Sequence, residues 1–317
     1  MSEQTESKTA TPAAQGAPTL GRDLFAMVAC SLIWGTTWFA ITFQLGGPDG
    51  RLAVAPLVSL VYRFGSAALV LFVWLLATRK QVRLSARQHV TVALQGVFVF
   101  TVNYACVYFA EQHIASAAAA VGFAALSFVN LVLFRVVYGQ RVPPAAWLAA
   151  VAGVLGVVVM SWAELERAHL DTGALMGLGL LFIGVLGSSI ANLFAYRATE
   201  QGVETATSTA WAMLYGTVFL ALWAVVRGDA WSFDPRPGYV LSLAYLSLFG
   251  SVFGFVLYFG LARRRGYGFA SYISAITPPI AMAISAVFEH ARWGIEAAFG
   301  VALVVIGQVL LIRAKKA

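Results

Sequence analysis

Aromatic and polar residues recur at helical spacing along this 317-residue chain, inside stretches that are otherwise apolar. Trp34, Thr37, Trp38 and Ile41 follow the i, i+3, i+4, i+7 rule that places side chains on one helix face. Tyr104, Tyr108 and Glu111 share a second face, with Asn103 beside them; Phe123, Ser127 and Asn130 mark a third. Ser189, Asn192 and Tyr196, with Ser188 adjacent, make another, and Gly250, Gly254 and Tyr258, then Ser271, Ser274 and Pro278, complete the set. These groups offer amide and hydroxyl hydrogen bonds and ring faces, which is the chemistry of holding a small molecule without making or breaking bonds. A buried amide lacking a partner costs a few kcal/mol, so Asn103 and Asn130 must face protein or a watered cavity. The candidate substrate contacts are Trp34, Thr37, Trp38, Asn103, Tyr104, Tyr108, Phe123, Ser127, Ser188, Asn192, Tyr258 and Ser274.

Charged groups are nearly absent from these stretches. Arg63 is the one deeply placed charge, and an intramembrane Arg is by default a functional residue. It is expected to anchor or gate the outer end, paired with Glu111 or Glu289 or snorkelling to the interface. Pro278 and Pro279 interrupt the apolar stretch Tyr267 to Glu289, and two prolines in succession are expected to bend that helix and free carbonyls at mid-depth. Arg63, Glu111, Pro278 and Pro279 are therefore the expected gate and hinge residues. No catalytic residue, metal ligand or cofactor is expected: the chain has no HExxH-like pair, no mid-span Lys for a Schiff base, no intramembrane Ser with a His partner and no Walker A sequence. Cys30 and Cys106 lie in apolar segments and read as small hydrophobes.

The elements that must position these residues follow from composition. Hydrophobic residues make up 60% and charged residues 11% of the chain, far from the roughly 25% charge of a soluble domain. The class is all-α and membrane-embedded. Windows of about 20 apolar residues place ten spans near 24–45, 56–78, 88–110, 115–138, 143–162, 173–198, 204–226, 237–262, 267–289 and 293–313. Pro56, Pro143 with Pro144, and Pro237 fall at span starts, where a missing N–H does no harm. Residues 1–23 read as a disordered cytoplasmic tail and not as a signal peptide, because no apolar core follows a basic start. With both termini cytoplasmic, most of the 21 Lys and Arg fall in inner loops, which sets an N-in, C-in orientation by the positive-inside rule. The net charge of +7 is then a matter of orientation and lipid headgroups, and no nucleic-acid partner is expected.

The chain divides into a first five-helix repeat at 24–162, an extracytoplasmic connector at 163–172, a second repeat at 173–313 and a short cytoplasmic tail at 314–317. A slide of about 150 residues brings Tyr108-Phe109 onto Tyr258-Phe259 and, with one residue of slip, Ser127 onto Pro278. Because each half has an odd number of spans, the halves are expected to be inverted, as in alternating-access transporters. The same sequence features resemble a known family. Ile33-Trp34-Gly35-Thr36-Thr37-Trp38, Tyr62-Arg63-Phe64 after Pro56, Tyr108-Phe109-Ala110 with Ala115-Ser116-Ala117-Ala118, and Thr277-Pro278 are similar to the EamA-type proteins of the drug/metabolite transporter (DMT) superfamily. Leu126-Ser127-Phe128, where many relatives carry a proline, and Gln140, where an acidic residue is usual, depart from that pattern. The resemblance implies ten helices, with spans 1, 3, 4, 6, 8 and 9 around a central cavity that serves export of amino acids or other small metabolites.

A neutral cavity walled by rings suits a small zwitterion with an aromatic or apolar side chain better than a sugar phosphate, which would call for several Lys or Arg. A multidrug or lipophilic-cation exporter is the alternative within transport, although a deep carboxylate is missing. A membrane enzyme acting on a lipid-linked substrate is the alternative outside it, with only Glu164, Glu166, His169 and Asp171 to carry acid chemistry. Proton exchange through Glu111, His113 or Glu289 and facilitated diffusion both stay open. The expected setting is the inner (plasma) membrane, the expected partners are a small-molecule substrate and lipids, and a monomer is expected, with a homodimer as the alternative.

Overall fold

The computed structural model describes residues 20–47, 50–167, 171–270, 273–290 and 294–314. Among them no strand occurs. The helices are α1 (Leu20–Gln44), α2 (Pro56–Ala77), α3 (Ala86–Ala110), α4 (Ser116–Tyr138), α5 (Pro144–Arg167), α6 (Thr172–Glu200), α7 (Thr205–Arg227), α8 (Pro237–Arg265), α9 (Ile273–Phe288, preceded by the turn Tyr267–Ala270) and α10 (Ile295–Ala314). Seven helices, α1 to α4 and α6 to α8, are long and apolar enough to cross a membrane by length and composition. Pro144–Met160, Ile276–Phe288 and Ile295–Gly307 are shorter apolar helices. Leu69, Val73, Leu148 and Val226 point outward and are exposed, as a lipid-facing surface requires.

Local chemistry sets the helix ends. Pro56 and Pro237 open α2 and α8, and Ser85 with Gln88 forms a reciprocal capping box at α3. The Asp171 carboxylate accepts from the Gly173 N–H at 3.0 Å at the start of α6. Gly139 and Gly228 close α4 and α7 with φ of +64° and +72°, a left-handed conformation that only glycine adopts without strain. Residues 1–19 of the expected tail lie outside the described residues, but the tail ends sooner than expected because α1 starts at Leu20. Asp23 is buried there and accepts from Arg264 Nε at 2.8 Å and Arg265 Nε at 2.6 Å, which pins α1 to the end of α8.

The proline pair does not break α9. The helix runs from Ile273 to Phe288 through Pro278, which is buried, and Pro279, which is exposed. Two intrahelical donors are lost, yet the flanking turns persist and the Thr277 hydroxyl donates to the Ile273 carbonyl at 2.8 Å. The irregular backbone lies elsewhere. In α4, Ala124 and Ala125 donate to Val121 and Gly122, three residues back, at 3.0 and 3.1 Å, so a tightened turn interrupts the helix just before Ser127. In α3 and α8, Val97–Asn103 and Leu246–Phe253 are wide π-helical segments. The irregular turn thus falls in α4, while the proline-bearing α9 runs through Pro278 and Pro279 as one helix.

Packing follows the internal repeat. α5 lies against α10 at backbone contact: a Cβ on Gly156 would stand 2.6 Å from the Gly300 carbonyl oxygen, and one on Gly307 would stand 2.6 Å from the Gly153 nitrogen. α2 packs on α7, α1 on α9, α6 on α4, α3 on α6 and α1 on α8. The slide of about 150 residues exchanges α1–α9 with α6–α4 and α3–α6 with α8–α1, and superposes the two π segments.

Candidate functional site

A cavity with about 790 Å³ of atom-free space, its open mouth included, lies between α1, α3, α4, α6, α8 and α9. Ten of the twelve expected contacts line it: Trp34, Thr37, Trp38, Asn103, Tyr104, Phe123, Ser188, Asn192, Tyr258 and Ser274. No charged side chain is among its described lining residues.

Several polar groups in the wall are held by their own helix or a neighbour. The Trp34 indole N–H donates to the Gly250 carbonyl at 3.1 Å, and its ring meets Phe255 and Tyr258 at centroid distances of 5.3 and 5.2 Å. Thr37 is tied back to the Trp34 carbonyl at 2.9 Å. Trp38 packs on Phe123 at 5.7 Å, bridging α1 and α4. Asn192 donates to the Tyr258 hydroxyl at 3.1 Å and to Asn130 Oδ1 at 3.2 Å, where Ser189 also donates at 2.7 Å. Asn130 therefore joins α4, α6 and α8 from behind the wall. Asn103 is different: its Oδ1 is buried without a hydrogen-bond partner, close to Gly184 of α6, on a residue that lines the cavity.

Two expected contacts lie outside the lining. Tyr108 is fully buried one turn beyond Tyr104 and takes a hydrogen bond from Arg63 at 3.2 Å. Ser127 shares a 2.7 Å hydrogen bond with Ser274, so it positions the lining serine and does not reach the cavity itself. Ile41, the last member of the first stripe, also lines the cavity, and the residues that the stripes did not reveal are Val99, Val107, Ala120, Leu126, Phe255, Phe259 and Thr277. Most are apolar, and apolar side chains look alike in sequence whether they face lipid or a cavity. Ser271 lies outside the described residues. Pro278 and Pro279 do not line the cavity, although Thr277 beside them does.

Arg63 neither snorkels nor forms an ion pair with Glu111 or Glu289 among the described residues. It is 1% exposed, and its Nε donates to Ser251 at 3.1 Å. The guanidinium lies 4.7 Å from the Tyr104 ring centroid and 5.1 Å from that of Phe64. Hydroxyls and ring faces replace a carboxylate partner, because α2 is held inward against the π segment of α8 where Ser251 and Gly250 sit. Glu111 follows the end of α3, with both carboxylate oxygens buried and lacking a hydrogen-bond partner. Burial, then the neighbouring Glu289, hold its carboxyl well above the ordinary carboxylate range, against the pull of Arg63. Both oxygens of Glu289 accept from Ser116 at 3.0 and 2.8 Å, at the N-terminus of α4. Cys30 and Cys106 are free and buried.

The EamA-like transporter family model matches residues 22–162 and again residues 175–313, so the repeat read in the sequence is two copies of one family unit. The chain is 25% identical over 258 residues to the uncharacterized inner membrane transporter YedA of Escherichia coli, covering 81% of this chain and 79% of that one. It is 25% identical to Protein PagO of Salmonella typhimurium over 82% of each chain. It is 20% identical to the uncharacterized transporter YoaV of Bacillus subtilis over 90% of this chain and 94% of that one. A solved crystal structure superposes with a TM-score of 0.70 at 16% identity, over 94% of this chain and 99% of that one, which shows a shared fold. With both halves matched and seven helices long and apolar enough to cross a membrane among the described residues, the chain belongs to the EamA-like transporter family of the drug/metabolite transporter superfamily, as a multi-pass transporter of the inner membrane.

Proposed function

We propose that this transporter exports small zwitterionic metabolites, namely amino acids with aromatic or apolar side chains, by alternating access between two inverted five-helix halves with both termini cytoplasmic. The observation that carries this reading is the uncharged cavity wall, in which Trp34, Tyr104, Phe123 and Tyr258 supply ring faces and Asn103 and Asn192 supply amides. Rings can flank an apolar side chain, while the Asn103 and Asn192 amides offer hydrogen bonds to the polar end of such a solute. A lipophilic cation would be expected to draw on a carboxylate, and none is among the described residues that line this cavity. The inverted arrangement is supported by the odd number of expected spans per half and by the exchange of helix pairs under the repeat. The protein acts as a monomer in contact with lipid.

The test is efflux from liposomes. Purified protein is reconstituted and loaded with labelled aromatic, branched or small polar amino acids, with and without a pH gradient. Faster efflux of the aromatic and branched substrates is expected, and flux equal to that of empty liposomes for all of them would sink the substrate class. Dependence on the gradient separates proton exchange from facilitated diffusion.

A further inference from the structure

Three neighbouring cavities run from the centre of the molecule toward the end that carries Arg83 and Arg263. The central cavity reaches Phe259. The same ring borders a second chamber, with about 220 Å³ of atom-free space, whose wall includes Gln95, Thr199, Ser208 and Tyr267. Val203 in turn borders both this chamber and a third cavity, with about 370 Å³ of atom-free space, its open mouth included, walled by Gln81, Arg83, Gln88 and Thr207 among others. Among the described residues, the middle chamber has no charged residue in its lining. Its groups are amide and hydroxyl, with Ser208 in the first turn of α7 donating to Gln95 Oε1 at 2.8 Å, and they give the chamber a neutral polar lining.

The more direct way out, between α4, α6 and α9, is filled. Phe134 stacks on Tyr267 at 5.3 Å, Tyr138 meets Tyr196 at 4.8 Å, and the Tyr138 hydroxyl donates to the Leu193 carbonyl at 3.1 Å. By contrast, Val203 sits on the short α6–α7 loop just after Gly202, whose φ is +77°, and polar pins hold that loop. Arg263 donates to the Val203 carbonyl at 3.4 Å, and Glu204 pairs with Lys80. Pins of this kind exchange with water at low cost.

We propose that this row of cavities is the access route between the central site and the arginine-rich face. Neutral polar or zwitterionic solutes cross the amide- and hydroxyl-lined chamber, and Phe259 and Val203 are its two partitions. The proposal rests on the transport reading and adds where the solute passes and which side chains it must displace.

The test is side-specific cysteine reactivity, which needs no substrate. In a Cys30→Ala, Cys106→Ala background, Ser208→Cys and Ser188→Cys are made separately. Each is exposed to a membrane-impermeant methanethiosulfonate in right-side-out and inside-out vesicles, and Arg87→Cys marks the arginine-rich face. Ser208→Cys should react from that face alone. Ser188→Cys, in the central cavity, should react from that face at least tenfold faster when Phe259→Ala is added, while Phe259→Leu, which keeps an apolar filler, should stay near the parent rate. An unreactive Ser208→Cys in vesicles where Arg87→Cys reacts would overturn the route. So would acceleration at Ser188→Cys by Tyr138→Ala but not by Phe259→Ala. Absence of amino-acid flux with these reactivities intact would count against the substrate class and leave the route standing.

Discussion

The indole nitrogen of Trp34 in α1 donates across 3.1 Å to the carbonyl of Gly250, inside the π segment of α8. That carbonyl is available because the Gly254 N–H donates to Phe249, five residues back, instead of to Gly250, its α-helical acceptor. The indole can reach in only because Gly254 has no side chain: a Cβ there would stand 2.5 Å from Trp34 Nε1. Trp34→Phe should keep the ring contacts with Phe255 and Tyr258 and lose about 1 kcal/mol of hydrogen bonding. Gly254→Ala should displace the indole and lower efflux further than Trp34→Phe does. Liposome flux of a labelled aromatic amino acid compares the two, and equal, parent-like flux in both would remove Trp34 from the site.

The Asn192 amide links Asn130 Oδ1 with the Tyr258 hydroxyl, joining α4, α6 and α8 behind and within the wall. Tyr258→Phe deletes one acceptor and keeps the ring, so it should destabilise by about 1 kcal/mol. Asn192→Leu leaves Asn130 and Tyr258 each short of a donor in a dry setting and should cost more, about 2–3 kcal/mol. Thermal unfolding in detergent should rank parent above Tyr258→Phe above Asn192→Leu; the reverse order would mean that the amide is not structural.

Arg63 is buried against Tyr104 and Phe64 and bonded to Ser251 and Tyr108. A planar fork can satisfy two hydroxyls while lying on a ring face, and a lysine ammonium cannot. Arg63→Lys should therefore destabilise by several kcal/mol, because it leaves a desolvated point charge. Arg63→Met should cost less, since it keeps volume and removes the charge. Melting temperatures in the order parent, Met, Lys are expected, and a Lys variant as stable as the parent would show that hydrogen-bond geometry at this position is irrelevant.

Side chains were legible in the sequence wherever polarity broke an apolar background. Trp34, Thr37 and Trp38, or Ser188 and Asn192, stand out because helical period and cost of burial act together. Val99, Val107, Ala120 and Phe259 could not stand out, since lipid and cavity accept the same apolar surface. Backbone was harder to read. Pro278 and Pro279 advertise a break, yet two lost donors did not outweigh the remaining turns of α9. The tightened turn at Ala124–Ala125 and the π segments at Val97–Asn103 and Leu246–Phe253 carry no proline at all. They depend on tertiary contacts, such as Thr101 donating to the Gly216 carbonyl of α7 at 3.0 Å, that local sequence does not contain.

Glu111 gives the protein a pH-dependent stability of a particular sign. Its folded carboxyl is held above the ordinary value of 4.5, first by burial and then by Glu289, so the folded state keeps a proton that the unfolded chain releases. Stability must then fall as pH rises above that ordinary value, and it goes on falling until the folded group itself ionises. Glu111→Gln keeps the shape without a titrating group and should flatten this part of the profile, with the largest gain over the parent at the alkaline end. Glu289→Gln removes the repulsion and should move the loss of stability to a lower end point, whereas Arg63→Met removes an attraction and should extend it to higher pH. Unfolding in detergent at a series of pH values reads all four proteins. A Glu111→Gln variant that tracks the parent at every pH would mean that the folded carboxyl titrates as it does in the unfolded chain.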